Sequence, residues 1–312
     1  RGLRAFNRRP DKPFAVMFAS VDAVRAVCDV DDAARSALSS AAAPIVILPL
    51  KGEDSSLVCP SVGRPLRSLG CMLPATPVYH QLVRQVGCAL VVTSGNRGAE
   101  PLCADDASAQ SCLDAIAEGF LTDDRPIRHP VDDSVVQVVG GSVRTLRLGR
   151  GLGPLVLDHP DATCDDSMPV IIGLGGHEKL SCTVAAGAGF VLSPHLGDGD
   201  SSRLEQHYRA QRRGMLSLCG AQARLQVLDA HPDYLTRQFA CPDLETLEIQ
   251  HHHAHVLAVC AEHRLAGPVL AFACDGNGYG GDGTVWGGEV LLVDGLGLQR
   301  VGSLRPFMLP GG

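Results

Sequence analysis

Apolar side chains follow two rhythms along this chain, one helical and one strand-like, and the two alternate. Residues 21–39, VDAVRAVCDVDDAARSALS, carry apolar positions at helical spacing and predict a helix. PIVILPL (44–50) predicts a short strand. TPVYHQLVRQVG (76–87) predicts a helix with Thr76 as its N-cap, Pro77 in the first helical position and Gly87 as its stop. CALVVTSGN (88–96) reads as a strand running into a small polar turn, and SVVQVVG (134–140) and VRTLRLG (143–149) as two more strands. Helices alternating with strands make residues 1–154 an α/β domain.

GPLVLDHPDATCDDSMP (153–169) loses the periodicity and gathers Pro, Asp and Gly, so residues 155–168 are assigned as a linker. The second domain, 169–312, opens with VIIGLGGHEKLS (170–181), an apolar strand entering a glycine turn. A strand GFVLS, a helix across 201–218, a strand RLQVLDA (224–230) and a strand-then-helix over TLEIQ and HAHVLAVCAEHRL follow. PVLAFACDGNGYGGDGTVWGGEVLLV (268–293) reads as two strands joined by a glycine-rich loop at 276–288. No internal repeat or low-complexity tract interrupts this order.

Composition narrows the function classes. The net charge is −7 and no Lys/Arg run exceeds a pair, which leaves no footprint for non-specific binding to long nucleic acid. No run of 18 apolar residues exists and the start lacks the apolar stretch of a signal peptide, so a soluble cytoplasmic protein without a membrane partner is expected. The 12 cysteines are scattered, with no C-x-x-C pair, and most sit in apolar runs where a thiol acts as a small hydrophobe. Residue 1 is Arg and the chain stops soon after a strand-like stretch, so a piece of something longer is expected.

The densest candidate chemistry lies in QHHHAHVLAVCAEH (250–263). His251 and His255 are four residues apart, hence one turn apart on the same helix face, the spacing of a two-imidazole metal pair. The plain alternative is a polar helix start with ordinary surface histidines. Asp275 ends the apolar run VLAFAC, where a carboxylate at a strand end points into the usual ligand crevice; it is equally a turn former before Gly276. Two imidazoles and a carboxylate suit Zn²⁺ or Fe²⁺ with open positions for substrate. The turn GLGGHEKLS offers Gly175 and Gly176 backbone N–H groups to phosphate oxygens, with Lys179 as a point charge, and Gly276 lets a ligand approach closely. In the first domain Thr93, Ser94 and Asn96, the basic Arg8, Arg9 and Lys12, the pair Asp133 and Ser134, and Arg147 and Arg150 together suggest an anionic nucleotide, although each alone fits a turn or a surface charge.

The blocks RRPDKPFAVM, LPLK, GCMLPATPVYHQL, LVVTSGNRGAEPL, DDRPIRHPVDDSVV, IIGLGGHEKLSCTVA, LSPHLGDGDS, DAHPDYLTRQFA, QHHHAHVLAVCAEH and DGNGYGGDGTVWGGE, in this order, resemble the hydrogenase-maturation carbamoyltransferases of the HypF family across essentially the whole chain. The resemblance implies a YrdC-like twisted α/β domain followed by a truncated actin-like (ASKHA-type) α/β domain. The first would make carbamoyl adenylate from ATP, with Mg²⁺, and carbamate freed from carbamoyl phosphate, using Arg9, Lys12, Thr93, Ser94, Asn96, Ser134 and Arg150. The second would pass the carbamoyl group to the C-terminal cysteine of a HypE-type acceptor, on the way to the cyanide ligands of [NiFe]-hydrogenase. His251, His255 and Asp275 would bind the metal, with Lys179 and Asp275 catalytic and Gly175, Gly176 and Gly276 on the nucleotide. An acylphosphatase domain, a zinc-finger segment, the first strand–helix unit of the synthase domain and the second half of the transferase domain would lie outside this sequence, so residues 1–312 alone are expected not to complete the transfer. GNRGAEP stands where the family has Asn-x-Ser-Gly-Glu-Pro, RGLGP where it has Arg-Gly-Tyr-Ala-Pro, and TDDRPI where it has a His-Asp-Arg run. Competing readings are a non-catalytic nucleotide- or RNA-binding remnant, since synthase domains of this type are also linked with RNA, and an antibiotic O-carbamoyltransferase, in which the two domains occur in the opposite order.

Overall fold

A computed structural model of the chain describes residues 14–52, 62, 67–96, 100–158, 168–187, 189–197, 202–306 and 308, leaving aside the side chains of residues 202, 203 and 277. Its contacts divide into two compact units, Arg1–Leu155 with Ser193–His207, and Val156–Leu192 with Tyr208–Gly312.

The first unit is built on strands β1 (Ala15–Met17), β2 (Ile45–Pro49), β3 (Ser68–Met72), β4 (Leu90–Val92), β5 (Val135–Val139) and β6 (Ser142–Arg147). They form one mixed sheet in the order β4-β1-β3-β2-β5-β6. Alternation in IVILP turns Val46 and Leu48 into a core shared with Val16, Leu69, Cys71 and Val136. Helices α1 (Val21–Arg25) and α2 (Asp32–Leu38) close that core through Val24 and Leu38. The single helix expected over 21–39 is therefore two. Asp29 N–H donates to Pro49 O and Lys51 N–H to Val27 O, both at 2.9 Å, so the backbone at 27–29 is spent on the end of β2. The Asp31 carboxylate then accepts from Ala34 N at 2.7 Å and starts the second helix. Helix α3 (Pro77–Val86) has the expected caps: Thr76 accepts from Tyr79 N, and Gly87 takes the left-handed conformation at φ 73°. Helix α4 (Asp106–Leu113), capped by Asp105, was not anticipated.

The second unit begins inside the expected linker. Leu155–Asp158 forms strand β7, because LVLD pairs beside β10 (Gly189–Leu192), and residues 159–167 lie outside the described ones. With β8 (Ile171–Gly173), β9 (Thr183–Ala186), β11 (Leu225–Asp229) and β12 (Glu245–Ile249) the sheet order is β12-β11-β8-β9-β10-β7. Strands β8, β11 and β12 are parallel, so their carboxyl ends share one edge. Helix α5 (Ser202–Leu218) matches the expected 201–218, and a short α6 (Leu235–Gln238) precedes β12. Helix α7 (His251–His263) packs Val256, Leu257 and Cys260 onto an antiparallel sheet of β13 (Val269–Tyr279), β14 (Val285–Asp294) and β15 (Gly297–Ser303). The joining loop is shorter than the expected 276–288: Gly276 and Gly278 belong to β13, Gly287 and Gly288 to β14.

Among the described cysteines Cys28, Cys71, Cys112 and Cys182 are buried as expected, whereas Cys88 and Cys274 are exposed. No helix of the described residues is long and apolar enough to cross a membrane.

Leu291 is fully buried in the apolar cluster that also contains Trp286, the chain's single tryptophan. Leu291→Ala should lower the stability of this unit by about 2–5 kcal/mol, the cost of lost burial plus a cavity. Urea unfolding followed by tryptophan fluorescence reads this directly, and a loss below ~1 kcal/mol would show that the packing is not tight.

Candidate metal centre

Three parallel strands end at one edge of the second unit's large sheet, and each delivers a polar element there. From β8 the chain enters the glycine turn, where Gly175 sits at φ +76° and a methyl group would lie 2.6 Å from Ser181 O. Only glycine fits that turn. β11 ends in Asp229, and β12 leads through Gln250 into α7, whose first residue is His251. Gln250 Oε1 accepts from His253 N at 2.9 Å, capping the helix, while its Nε2 donates to Tyr279 O at 3.1 Å and ties the cap to β13.

The fourth element comes from the other sheet. The β13–β14 register breaks between Cys274 and Gly278, and Asp275 lies in that irregularity, as β-bulges near functional sites often re-aim a side chain. Close approach of β13 to α7 requires Gly278: a methyl group there would be 2.5 Å from His252 Cε1 and 3.1 Å from His251 Cβ.

The ligand atoms of His251, His255 and Asp275 converge within 4.8 Å of one another. The two Nε2 atoms are 3.2 Å apart, and Asp275 Oδ2 lies 2.9 Å from His251 Nε2 and 3.4 Å from His255 Nε2. Two ligands about 2.0 Å from a tetrahedral ion are separated by roughly 3.3 Å, so these spacings are those of a coordination edge. Asp275 Oδ2 is shielded from solvent and receives no well-directed hydrogen bond from a described residue. A carboxylate oxygen shielded from solvent and facing two imidazole nitrogens fits a divalent cation. The hydrogen bond that His251 Nδ1–H donates to Asp229 raises the His251 pKa, against the effect of burial and with help from Asp275. Burial acts to raise the Asp275 pKa, but the Gly276 N–H and the surrounding imidazoles outweigh it and hold the carboxyl low. His252, fully buried, is pushed down by desolvation and then by His251.

Asp229 is the residue that reading the sequence missed. Its Oδ2 lies 2.6 Å from His251 Nδ1, on the far side of the ring from the convergence point. The signal was present: an aspartate closing the apolar strand LQVLD meets the criterion that singled out Asp275. Next to it His231 stacks on Tyr234 with centroids 4.2 Å apart, and Tyr234 meets His251 edge-on at 6.2 Å.

The other expected residues fall in separate places. Gly176 borders the centre, since a methyl group on it would lie 3.9 Å from His251 Cε1. Lys179 is exposed on the same turn and adopts φ 50°, a conformation uncommon outside glycine. The Gly276 N–H donates to Asp275 Oδ1 at 2.7 Å, and a methyl group on Gly276 would meet nothing within 4 Å. In the first unit Thr93, Ser94 and Asn96 follow β4, with Ser94 Oγ donating to Asn96 Oδ1 and Asn96 Nδ2 to Glu100 O, each at 2.6 Å. Ser134 is fully buried; its hydroxyl donates to Arg150 O and accepts from Gly149 N–H, so it braces a turn rather than facing a ligand. The Arg150 guanidinium is engaged by Asp133 Oδ1 and by the carbonyls of Ala42 and Ala43. β4 and β5 stand four positions apart in the sheet, about 19 Å, so the two groups are not brought together by their strands. Arg8, Arg9 and Lys12 lie outside the described residues.

Comparison with known proteins agrees along the whole chain. Residues 1–149 match the YrdC-type family described as telomere recombination, residues 166–262 the HypF Kae1-like domain, and residues 271–312 the second subdomain of the carbamoyltransferase Kae1-like domain. The carbamoyltransferase HypF of Synechocystis is 39% identical over 99% of this chain and 40% of its own length, and that of Rhizobium leguminosarum 38% over 99% and 41%. The chain thus spans well under half of these relatives. A crystal structure of full-length HypF in a phosphate- and nucleotide-bound form superposes with a TM-score of 0.89 at 35% identity, covering 96% of this chain and 39% of that one. The HypF of T. kodakarensis gives 0.89 at 29% identity, over 100% of this chain and 40% of its own. A YrdC-like unit joined to a Kae1-like unit, in the order and with the sequence found in these proteins, places the chain in the HypF family.

Proposed function

We propose that the protein transfers a carbamoyl group in two steps and that this chain contributes to both. The YrdC-like unit joins carbamate, freed from carbamoyl phosphate, to the α-phosphate of Mg²⁺-bound ATP; an acyl–phosphate bond forms and pyrophosphate leaves. The Kae1-like unit then hands the carbamoyl carbon to the C-terminal cysteine thiolate of a HypE-type acceptor, and AMP leaves. The product serves the cyanide ligands of a [NiFe]-hydrogenase, and the work is cytoplasmic. The observation that carries this reading is the convergence of His251, His255 and Asp275 at the carboxyl ends of parallel strands, beside a glycine turn.

The chain's own groups have distinct tasks. His251, His255 and Asp275 would hold Zn²⁺ or Fe²⁺, which as a Lewis acid polarises an acyl carbonyl and offsets phosphate charge. Gly175 and Gly176 offer backbone N–H groups to the adenylate phosphate, and Lys179 on the same turn adds a positive charge. In the first unit Thr93, Ser94 and Asn96, with Arg9 and Lys12, take the triphosphate, while Ser134 and Arg150 keep the turn at 149–150 in shape. Carbamate decomposes in water, which favours two closed sites on one polypeptide.

Two measurements test this. Full-length protein carrying His251→Ala and His255→Ala should lose about one equivalent of bound first-row metal relative to wild type; unchanged metal content would refute the metal site. Ser94→Ala with Asn96→Ala should lower carbamoyl-phosphate-dependent exchange of pyrophosphate into ATP at least about tenfold, the cost of hydrogen bonds to a charged ligand, with metal content unchanged. Exchange at the wild-type rate would move the nucleotide site elsewhere.

A further inference from the structure

We propose that Asp229 is the positioning residue of the metal centre, holding the His251 ring by its Nδ1–H so that the Nε2 lone pair faces the ion. This rests on the metal reading of His251, His255 and Asp275.

The argument begins with the accepting capacity of a carboxylate. Asp229 Oδ2 lies 2.6 Å from His251 Nδ1, so the neutral ring that donates Nδ1–H to it turns its Nε2 lone pair to the opposite side. That Nε2 is the atom lying 3.2 Å from His255 Nε2 and 2.9 Å from Asp275 Oδ2. The carboxylate is itself fixed. Its side chain is 7% exposed, and its other oxygen accepts from His231 N at 2.9 Å. The turn that follows is stiffened by the His231–Tyr234 stack, with planes 6° apart. A purely local turn-forming role would need only Oδ1 and His231. The Oδ2 contact reaches 22 residues along the chain, and among the described residues the His251 ring is the partner it has. His255 is held differently, its side chain 60% exposed against 19% for His251, so the two imidazoles are unequal ligands and His251 is the one set before the metal arrives. Carboxylates that orient a ligating histidine in this way typically matter about 10–100-fold in metal affinity.

The test is a Co²⁺ titration of metal-stripped protein against a competing chelator, comparing wild type, Asp229→Asn, His251→Ala, His255→Ala and the two double variants with Asp229→Asn. Expected is a weakening of about 10–100-fold in Asp229→Asn, retained alongside His255→Ala and absent alongside His251→Ala, because the effect acts through that ring. Equal weakening in both double variants would mean a general structural role and overturn the proposal, as would wild-type affinity in Asp229→Asn. If wild type binds Co²⁺ no better than a variant lacking both histidines, the metal reading fails and the proposal with it. Should the substituted proteins not fold, long-range ¹H–¹⁵N NMR of the unsubstituted, metal-free protein still decides, with His251 assigned by its edge-on partner rings. A ring protonated at Nδ1 supports the proposal, and one protonated at Nε2 alone overturns it.

Discussion

A carboxylate more than nine-tenths shielded from water needs donors aimed at it, and Asp229 is held on both oxygens. One donor is the backbone of its own turn; the other is the imidazole that opens α7. This contact joins the last residue of a central parallel strand to the first residue of a helix that packs on a different sheet. Strand end, helix start and Asp275 therefore have fixed relative places in the second unit, and the convergence of ligand atoms follows from them.

The backbone around the centre reflects the same constraint. β13 crosses the start of α7 too closely for any side chain at Gly278, and its register against β14 breaks where Asp275 must turn toward the histidines. Behind the polar face, Val256, Ala273, Trp286, Leu291 and Val293 form a compact apolar layer between helix and sheet. Burial of that layer, about 1.5–3 kcal/mol for each large side chain, is the energetic reserve from which a cluster of close polar groups can be assembled. At the edge of this layer Arg300 lies 4.4 Å over the Trp286 ring and pairs at 2.6 Å with Glu289, which is buried on the same face of β14 as Leu291, so the three-stranded sheet has its own satisfied charge pair.

The first unit handles polar groups differently. Ser134 and Arg150 are spent on backbone atoms of adjoining turns, while Ser94 and Asn96 hold one another in a short turn after an edge strand. In the first case the groups are consumed by the fold. In the second the polar turn stands at the end of its strand with small side chains, a geometry suited to a bulky anion.

Periodicity alone determined much about this protein. The capped helix at 77–86, the strands at 45–49, 135–139 and 225–229, and the i, i+4 placement of His251 and His255 all follow from local rules that neighbouring residues satisfy by themselves. Short strands such as 15–17 and 68–72 escaped that reading, because three to five residues carry too little pattern and gain their identity only from pairing. The break in 21–39 and the strand at 155–158 were likewise decided by partners distant in sequence, which claimed backbone groups that a helix or a linker would have left to itself or to water. The histidine pair was legible, yet its orientation was not. Which nitrogen of the His251 ring faces His255 and Asp275 goes with its contact to Asp229, 22 residues upstream, and only the packing of three parallel strands against one helix start brings the two within hydrogen-bonding distance.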